Sequence, residues 1–182
     1  MEFQCTRIRE VVLVRPRVFD DERGFFLETW QKRKFIEAGL GTEFVQDNHS
    51  RSIRRTLRGL HYQIQRPQGK LVSVIRGTVF DVAVDLRRSS STFGQWVGDV
   101  LSDRNHWQLW IPPGFAHGFL VLSESADFVY KCTDYYTPEG ERCIRWDDPE
   151  LGITWPLEAG VEPIVSRKDA AAALLRDAEC FP

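Results

Sequence analysis

The run Val79-Phe80-Asp81-Val82-Ala83-Val84-Asp85-Leu86 constrains the fold most. Its period of two puts Phe80, Val82, Val84 and Leu86 on one strand face and Asp81 and Asp85 on the other. The turn signal Arg76-Gly77-Thr78 precedes it, and before that Leu71 to Ile75 is a strand candidate. Further short runs at Val11 to Val14, Phe25 to Thr29, Trp96 to Leu101, Gln108 to Ile111, Phe119 to Leu122 and Phe128 to Thr133 are separated by Gly and Pro. Short strands with turns at this spacing predict an all-β chain built as a sandwich, jelly roll or barrel. At 182 residues with no linker, repeat or low-complexity tract, the chain reads as one domain over residues 1–182.

Two segments depart from strand periodicity. Thr29 is placed to cap a short helix from Trp30 to Ala38, stopped by Gly39. Near the C-terminus, Ser166-Arg167-Lys168-Asp169 resembles a capping box, and the Ala- and Leu-rich stretch Ala170 to Ala178 predicts one short helix.

Charge and cysteine usage exclude several function classes. With 24 Lys+Arg against 26 Asp+Glu, the net charge of -2 gives no global field for nucleic acid, so an anionic ligand needs a local cluster of cations. The N-terminus has no apolar core of a signal peptide, and no apolar run is long enough to span a bilayer, so the expected location is the cytoplasm. Cys5, Cys132, Cys143 and Cys180 form no CxxC pair, which argues against a zinc knuckle or a thioredoxin-like motif. The chain also has no Gly-rich dinucleotide fingerprint.

The residues able to carry chemistry lie in a few short segments. Histidine is the side-chain type suited to exchanging a proton near neutral pH, and His61 lies in Leu57-Arg58-Gly59-Leu60-His61-Tyr62-Gln63. A regular strand would send Arg58 and His61 to opposite faces; they converge only if Gly59 marks a bulge or the strand begins after it. Lys70 is either a solvated strand-end lysine or an ammonium aimed at an oxyanion or phosphate. His117 follows the rigid turn Ile111-Pro112-Pro113-Gly114 and shares a face with Phe119 and Val121, as a core histidine or as an oriented catalytic partner. Tyr130 shares an apolar face with Ala126, Phe128 and Cys132 and should point into a barrel. Arg23, Arg58, Lys70 and Lys168 are the cationic candidates, and Tyr135, Tyr136, Trp146 and Trp155 offer flat faces for a base or sugar, or simple packing.

The ordered set of segments is similar to the dTDP-4-dehydrorhamnose 3,5-epimerase family. It comprises Asp21-Glu22-Arg23-Gly24-Phe25-Phe26, Gln46-Asp47-Asn48-His49-Ser50, Leu57 to Gln63, Gln68-Gly69-Lys70-Leu71-Val72, Ile111 to Phe119, Tyr130-Lys131-Cys132-Thr133 and Ser166 to Asp169. The resemblance covers almost the whole chain. It implies a cupin-like jelly-roll barrel with short peripheral helices, and epimerisation of dTDP-4-dehydro-6-deoxy-D-glucose at C3 and C5 in dTDP-L-rhamnose biosynthesis.

By the same resemblance His61 is the general base, oriented by Asp169. Tyr130 is the acid on the other face of the sugar, and Lys70 stabilises the enolate oxygen, with His117 and Arg58 lining the site. Arg23, Phe26, Glu28, Gln46, Asp47, Asn48, Tyr136, Glu141 and Lys168 hold the nucleotide sugar. The implied assembly is a homodimer whose N-terminal segment reaches into the neighbouring site. Metal-binding cupins carry His-x-His in their first motif; here the segment is His61-Tyr62-Gln63, and His49, His106 and His117 do not restore the spacing, so neither a metal nor another cofactor is expected. Three alternatives stay open: an epimerase acting at one carbon only, a metal-dependent cupin enzyme, and a non-catalytic sugar-binding jelly roll.

Overall fold

The computed structural model describes residues 1–40 and 43–182. In chain order its strands are β1 (Glu2–Cys5), β2 (Val12–Arg15), β3 (Val18–Asp21), β4 (Gly24–Leu27), β5 (Gln46–Ile53), β6 (Leu57–Gln63) and β7 (Lys70–Arg76). They continue with β8 (Thr78–Asp85), β9 (Trp96–Ser102), β10 (Gln108–Ile111), β11 (Phe115–Val121), β12 (Ser125–Cys132) and β13 (Glu141–Cys143). Two short helices, α1 (Lys32–Glu37) and α2 (Arg167–Ala170), lie at the periphery. The strands form a six-stranded sheet in the order β1-β2-β10-β7-β12-β5, a five-stranded sheet in the order β13-β6-β11-β8-β9, and the separate hairpin β3–β4. This is the all-β, cupin-like architecture expected from the sequence.

Alternation along each strand divides the apolar residues between an inner core and two outer ones. Inside, Leu13, Val72, Val79, Ala83, Leu109, Phe119 and Phe128 from both sheets pack together. On the outer face of the five-stranded sheet, Val82, Val84, Ala116 and Leu120 are covered by Ile144, Leu151, Trp155 and Leu175 of the C-terminal segment. On the outer face of the six-stranded sheet, Val12, Val14, Leu71 and Trp110 are covered by Phe35 of α1. The apolar face of β8 is therefore the outer one. Its inner face carries the fully buried Asp81 and Asp85 beside Val79 and Ala83 of the inner core, so a pattern that would ordinarily mean solvent on the aspartate side here means buried aspartates.

Both predicted helices are shorter than expected. Gln31, not Thr29, is the N-cap of α1 and makes no side-chain capping bond. Trp30 lies outside the helix, its ring packed against Phe35 and Phe44. The C-terminal helix is a single turn, capped by Ser166, whose Oγ accepts from the Asp169 amide at 3.0 Å. Tertiary pairing overrides the helix propensity of the residues beyond it. Ala173 bridges Ile144, and the buried Asp148 carboxylate accepts from the Leu175 amide at 2.6 Å. The Tyr62 hydroxyl donates to the Glu179 carbonyl at 2.6 Å, tying the end of this strap to β6.

β6 contains the irregularity on which the site depends. Its pairing with β11 shifts register, with His61 opposite His117 but Arg58 opposite Phe119. One extra residue in β6 sends both Arg58 and His61 inward, while Leu57, Leu60 and Tyr62 face the outer core. Gly59 sits at the bulge with φ of +127°, and a Cβ there would lie 2.6 Å from the Gly118 Cα. Gly59→Ala is accordingly expected to cost about 2–4 kcal/mol, combining left-handed strain with backbone overlap. A thermal melt checks it, and a melting temperature like that of the unsubstituted chain would remove the bulge's claim on glycine.

Candidate active site

A cavity of about 210 Å³ opens between the two sheets. The five-stranded sheet contributes Arg58 and His61 from β6 and His117 from β11, and the six-stranded sheet contributes Lys70 from β7 and Tyr130 from β12. Phe119 and Phe128 form an apolar wall, their rings stacked with centroids 4.2 Å apart. A wider groove of about 420 Å³ lies between β1 and β9, lined by residues such as Arg7 and Trp96, but it holds none of these groups.

Asp169, delivered by the one-turn α2, places Oδ1 2.8 Å from His61 Nε2. Its Oδ2 accepts from the Gly59 amide at 3.4 Å. Burial by itself would raise this carboxyl. The His61 hydrogen bond and charge, together with Gly59 and Ser166, outweigh that and hold it below the usual aspartate range. An ionised Asp169 accepts a hydrogen bond from the Nε2–H of His61, which leaves Nδ1 as the imidazole's lone-pair nitrogen. Asp169 thus serves its helix cap through the backbone and His61 through the side chain.

A second His–Asp pair lies deeper. His117 Nε2 is 2.8 Å from Asp81 Oδ2. Burial pushes Asp81 up, opposed by His117 and Lys70, and its Oδ1 has no hydrogen-bond partner among the described residues. Burial also pulls Lys70 down from the ordinary lysine range, an effect that Cys132, Glu141 and Asp81 counter. Burial raises Tyr130, with Cys132 adding and Arg58 opposing, so its phenol stays protonated at neutral pH.

The rim is polar. Tyr136 donates its hydroxyl to Glu141 Oε2 at 2.8 Å, and Lys168 closes an ion pair on the same carboxylate. Gln46 accepts from the Tyr136 amide at 3.1 Å and donates to Asn48 Oδ1, and Arg58 Nε donates to Ser52 Oγ at 3.0 Å.

Four residues named from the sequence lie elsewhere. Asp47 faces the outer side of β5 and pairs with Lys131 at 3.0 Å, because the strand's alternation sends only Gln46, Asn48, Ser50 and Ser52 toward the interior. Arg23, Phe26 and Glu28 lie in or just after the β3–β4 hairpin, away from the cavity of their own chain. Arg23 pairs with Asp21, Phe26 is 70% exposed, and Glu28 pairs with Lys34.

Sequence reasoning missed two residues that contact site residues without lining the cavity, Asp81 beside His117 and Cys143 beside Asp169. Asp81 had its place on the polar face of β8 as a signal. Cys143 had none, because only the register of β13 on β6 sets it opposite His61. Its thiol is pushed up to about 12, mainly by burial and then by Asp169.

Residues 5–177 match the family described as dTDP-4-dehydrorhamnose 3,5-epimerase. The enzyme of that name from Pseudomonas aeruginosa is 61% identical over 176 residues, 96% of each chain. The crystal structure of dTDP-6-deoxy-D-glucose-3,5-epimerase from Legionella pneumophila in complex with dTDP-4-keto-L-rhamnose superposes with a TM-score of 0.94 at 55% identity, covering 98% of this chain and 94% of that one. A 3'-monoepimerase from Streptomyces bikiniensis in complex with dTDP-quinovose is more distant, with a TM-score of 0.88 and 32% identity over 95% of this chain and 87% of that one.

Proposed function

The chain belongs to the dTDP-4-dehydrorhamnose 3,5-epimerase family and is an epimerase, and from that premise we propose that it inverts C3 and C5 of dTDP-4-dehydro-6-deoxy-D-glucose through an enolate, without a cofactor. One observation carries the mechanism: an Asp-oriented histidine and a protonated tyrosine project from opposite sheets into one cavity that also holds a lysine. Inversion needs a proton removed from one face of the ring and returned to the other. A base and an acid on the same sheet would not supply that.

The C4 ketone acidifies the hydrogens at C3 and C5, since loss of either places negative charge on the C4 oxygen. His61 Nδ1 takes the proton, and Asp169 stabilises the imidazolium that results. Lys70 meets the developing oxyanion. Its ammonium is disfavoured by burial, so new negative charge beside it strengthens its charged form in the enolate rather than in the ground state. Tyr130 donates to the opposite face, which completes the inversion. Phe119 and Phe128 keep part of the wall apolar, and the electrostatic interactions are stronger for it. The cavity is sized for the sugar ring, and the Tyr136, Glu141, Lys168 and Gln46 rim is left for the nucleotide.

The reading includes a cytoplasmic homodimer in which the hairpin completes the neighbour's site. Phe19, Phe25 and Phe26 expose 50%, 60% and 70% of their surfaces on β3–β4, an apolar array that favours a protein partner over water. Mixing an inactive His61→Ala variant with an inactive Arg23→Ala variant, with subunit exchange allowed, should restore activity. Each mixed dimer then has one intact site. No recovery despite exchange would contradict shared sites.

Proton NMR of the product tests the reaction itself. Inversion at both carbons supports the proposal. Inversion at C3 or C5 alone would move this chain to the single-carbon reading that the monoepimerase relative keeps in view.

A further inference from the structure

We propose that Cys143, His61 and Asp169 form a three-ligand site for a thiophilic divalent cation of the zinc class, and that its occupancy silences the dyad. Cys143 ends β13 and is the direct cross-strand partner of His61 in β6. Residues so paired in antiparallel strands send their side chains to the same face. The Cys143 sulfur lies 3.9 Å from Asp169 Oδ1, and one donor atom from each of the three residues lies within 4.8 Å of the other two.

The donor set selects the ion. One sulfur, one nitrogen and one carboxylate oxygen match zinc's ligand preferences, whereas magnesium and calcium avoid thiolates. His61 keeps a third of its side chain exposed, so the cluster is reachable from the cavity, and a fourth position is left for water.

Ligation requires a defined exchange of bonds. The hydrogen bond between His61 Nε2 and Asp169 opens, and both atoms become ligands. The Cys143 thiol loses its proton to the buffer, one proton per ion, with no change of oxidation state. Tetrahedral donor–metal distances of about 2.0–2.3 Å put the donors about 3.3–3.6 Å apart, so His61 Nε2 and Asp169 Oδ1 separate from 2.8 Å while the Cys143 sulfur draws in from 3.9 Å. The imidazole remains neutral, so with the cation on Nε2 its remaining proton sits on Nδ1. The lone pair that would accept the substrate's proton is then gone.

The inhibition limb rests on His61 as the base; the ligation limb does not. The test uses the full chain stripped with a chelator, in a Cys5→Ser background because Cys5 is exposed. Titrated Co²⁺ should generate the near-ultraviolet thiolate-to-cobalt charge-transfer band at one ion per chain, and Cys143→Ala should abolish it while keeping basal turnover. Zn²⁺ should inhibit reversibly, with recovery on adding EDTA. Loss of even an outer-shell partner typically weakens metal affinity about 10–100-fold, so Cys143→Ala should need at least about ten-fold more Zn²⁺ for half-inhibition. A cobalt band and zinc sensitivity unchanged in Cys143→Ala would overturn the site. Full turnover with the ion bound would overturn the silencing. If His61 is not the base, the band persists and only the inhibition fails, which separates the two claims.

Discussion

His61→Ala is expected to lower turnover of the 4-keto nucleotide sugar by about 10²–10⁴-fold, the ordinary worth of one positioned general base. Steady-state kinetics should place the loss in kcat, with KM nearly unchanged, because the rim residues proposed to hold the nucleotide are untouched. The substitution also has a signature independent of the substrate. Asp169 is buried but held below its ordinary value, chiefly by His61. A carboxyl depressed in the fold contributes stability above its unfolded pKa and loses it as pH falls through the folded value. Without His61 that depression shrinks or reverses, so the variant should be less stable near neutral pH and should lose less melting temperature than the unsubstituted chain as pH falls through the carboxylate range. Tyr130→Phe should behave differently, retaining proton removal while failing to complete inversion. Wild-type turnover in His61→Ala would remove the base assignment.

Lys70→Met should lower kcat by about 10²–10³-fold, comparable with the loss of one oxyanion donor. The substitution keeps the length of the side chain and its contacts along β7 while deleting the charge. Because burial disfavours the ammonium in the resting protein, its removal should not lower the melting temperature. Reduced turnover with undiminished stability is the combination that distinguishes an enolate-stabilising lysine from a structural one. A fall in both together would make Lys70 a packing or ion-pairing residue.

The fold was legible where apolar residues alternate against one continuous surface. β8 and β10 were read almost to their boundaries. β5 passed unnoticed because Gln46, Asn48, Ser50 and Ser52 on its inner side are all polar, so the strand has no hydrophobic period. The three-residue β13 is too short for a period to register. The C-terminal helix was overestimated because Ala and Leu favour a helix locally, while the strap's contacts with Ile144 and Asp148 are set by tertiary placement.

The same division holds at the site. His61, Lys70 and Tyr130 were visible as chemically apt residues in recognisable segments. Their meeting was not derivable from alternation, because it depends on the Gly59 bulge and on two sheets facing each other. In Asp169 a cap signal and a hydrogen-bond partner of His61 coincide in one residue, one through its amide and the other through its carboxylate.

The most direct measurement is the reaction run in deuterium oxide, with the product examined by NMR. The account predicts solvent deuterium at both C3 and C5 with the unsubstituted enzyme, and at neither with His61→Ala. Inverted product that retains its original hydrogens at those carbons would contradict proton exchange through an enolate.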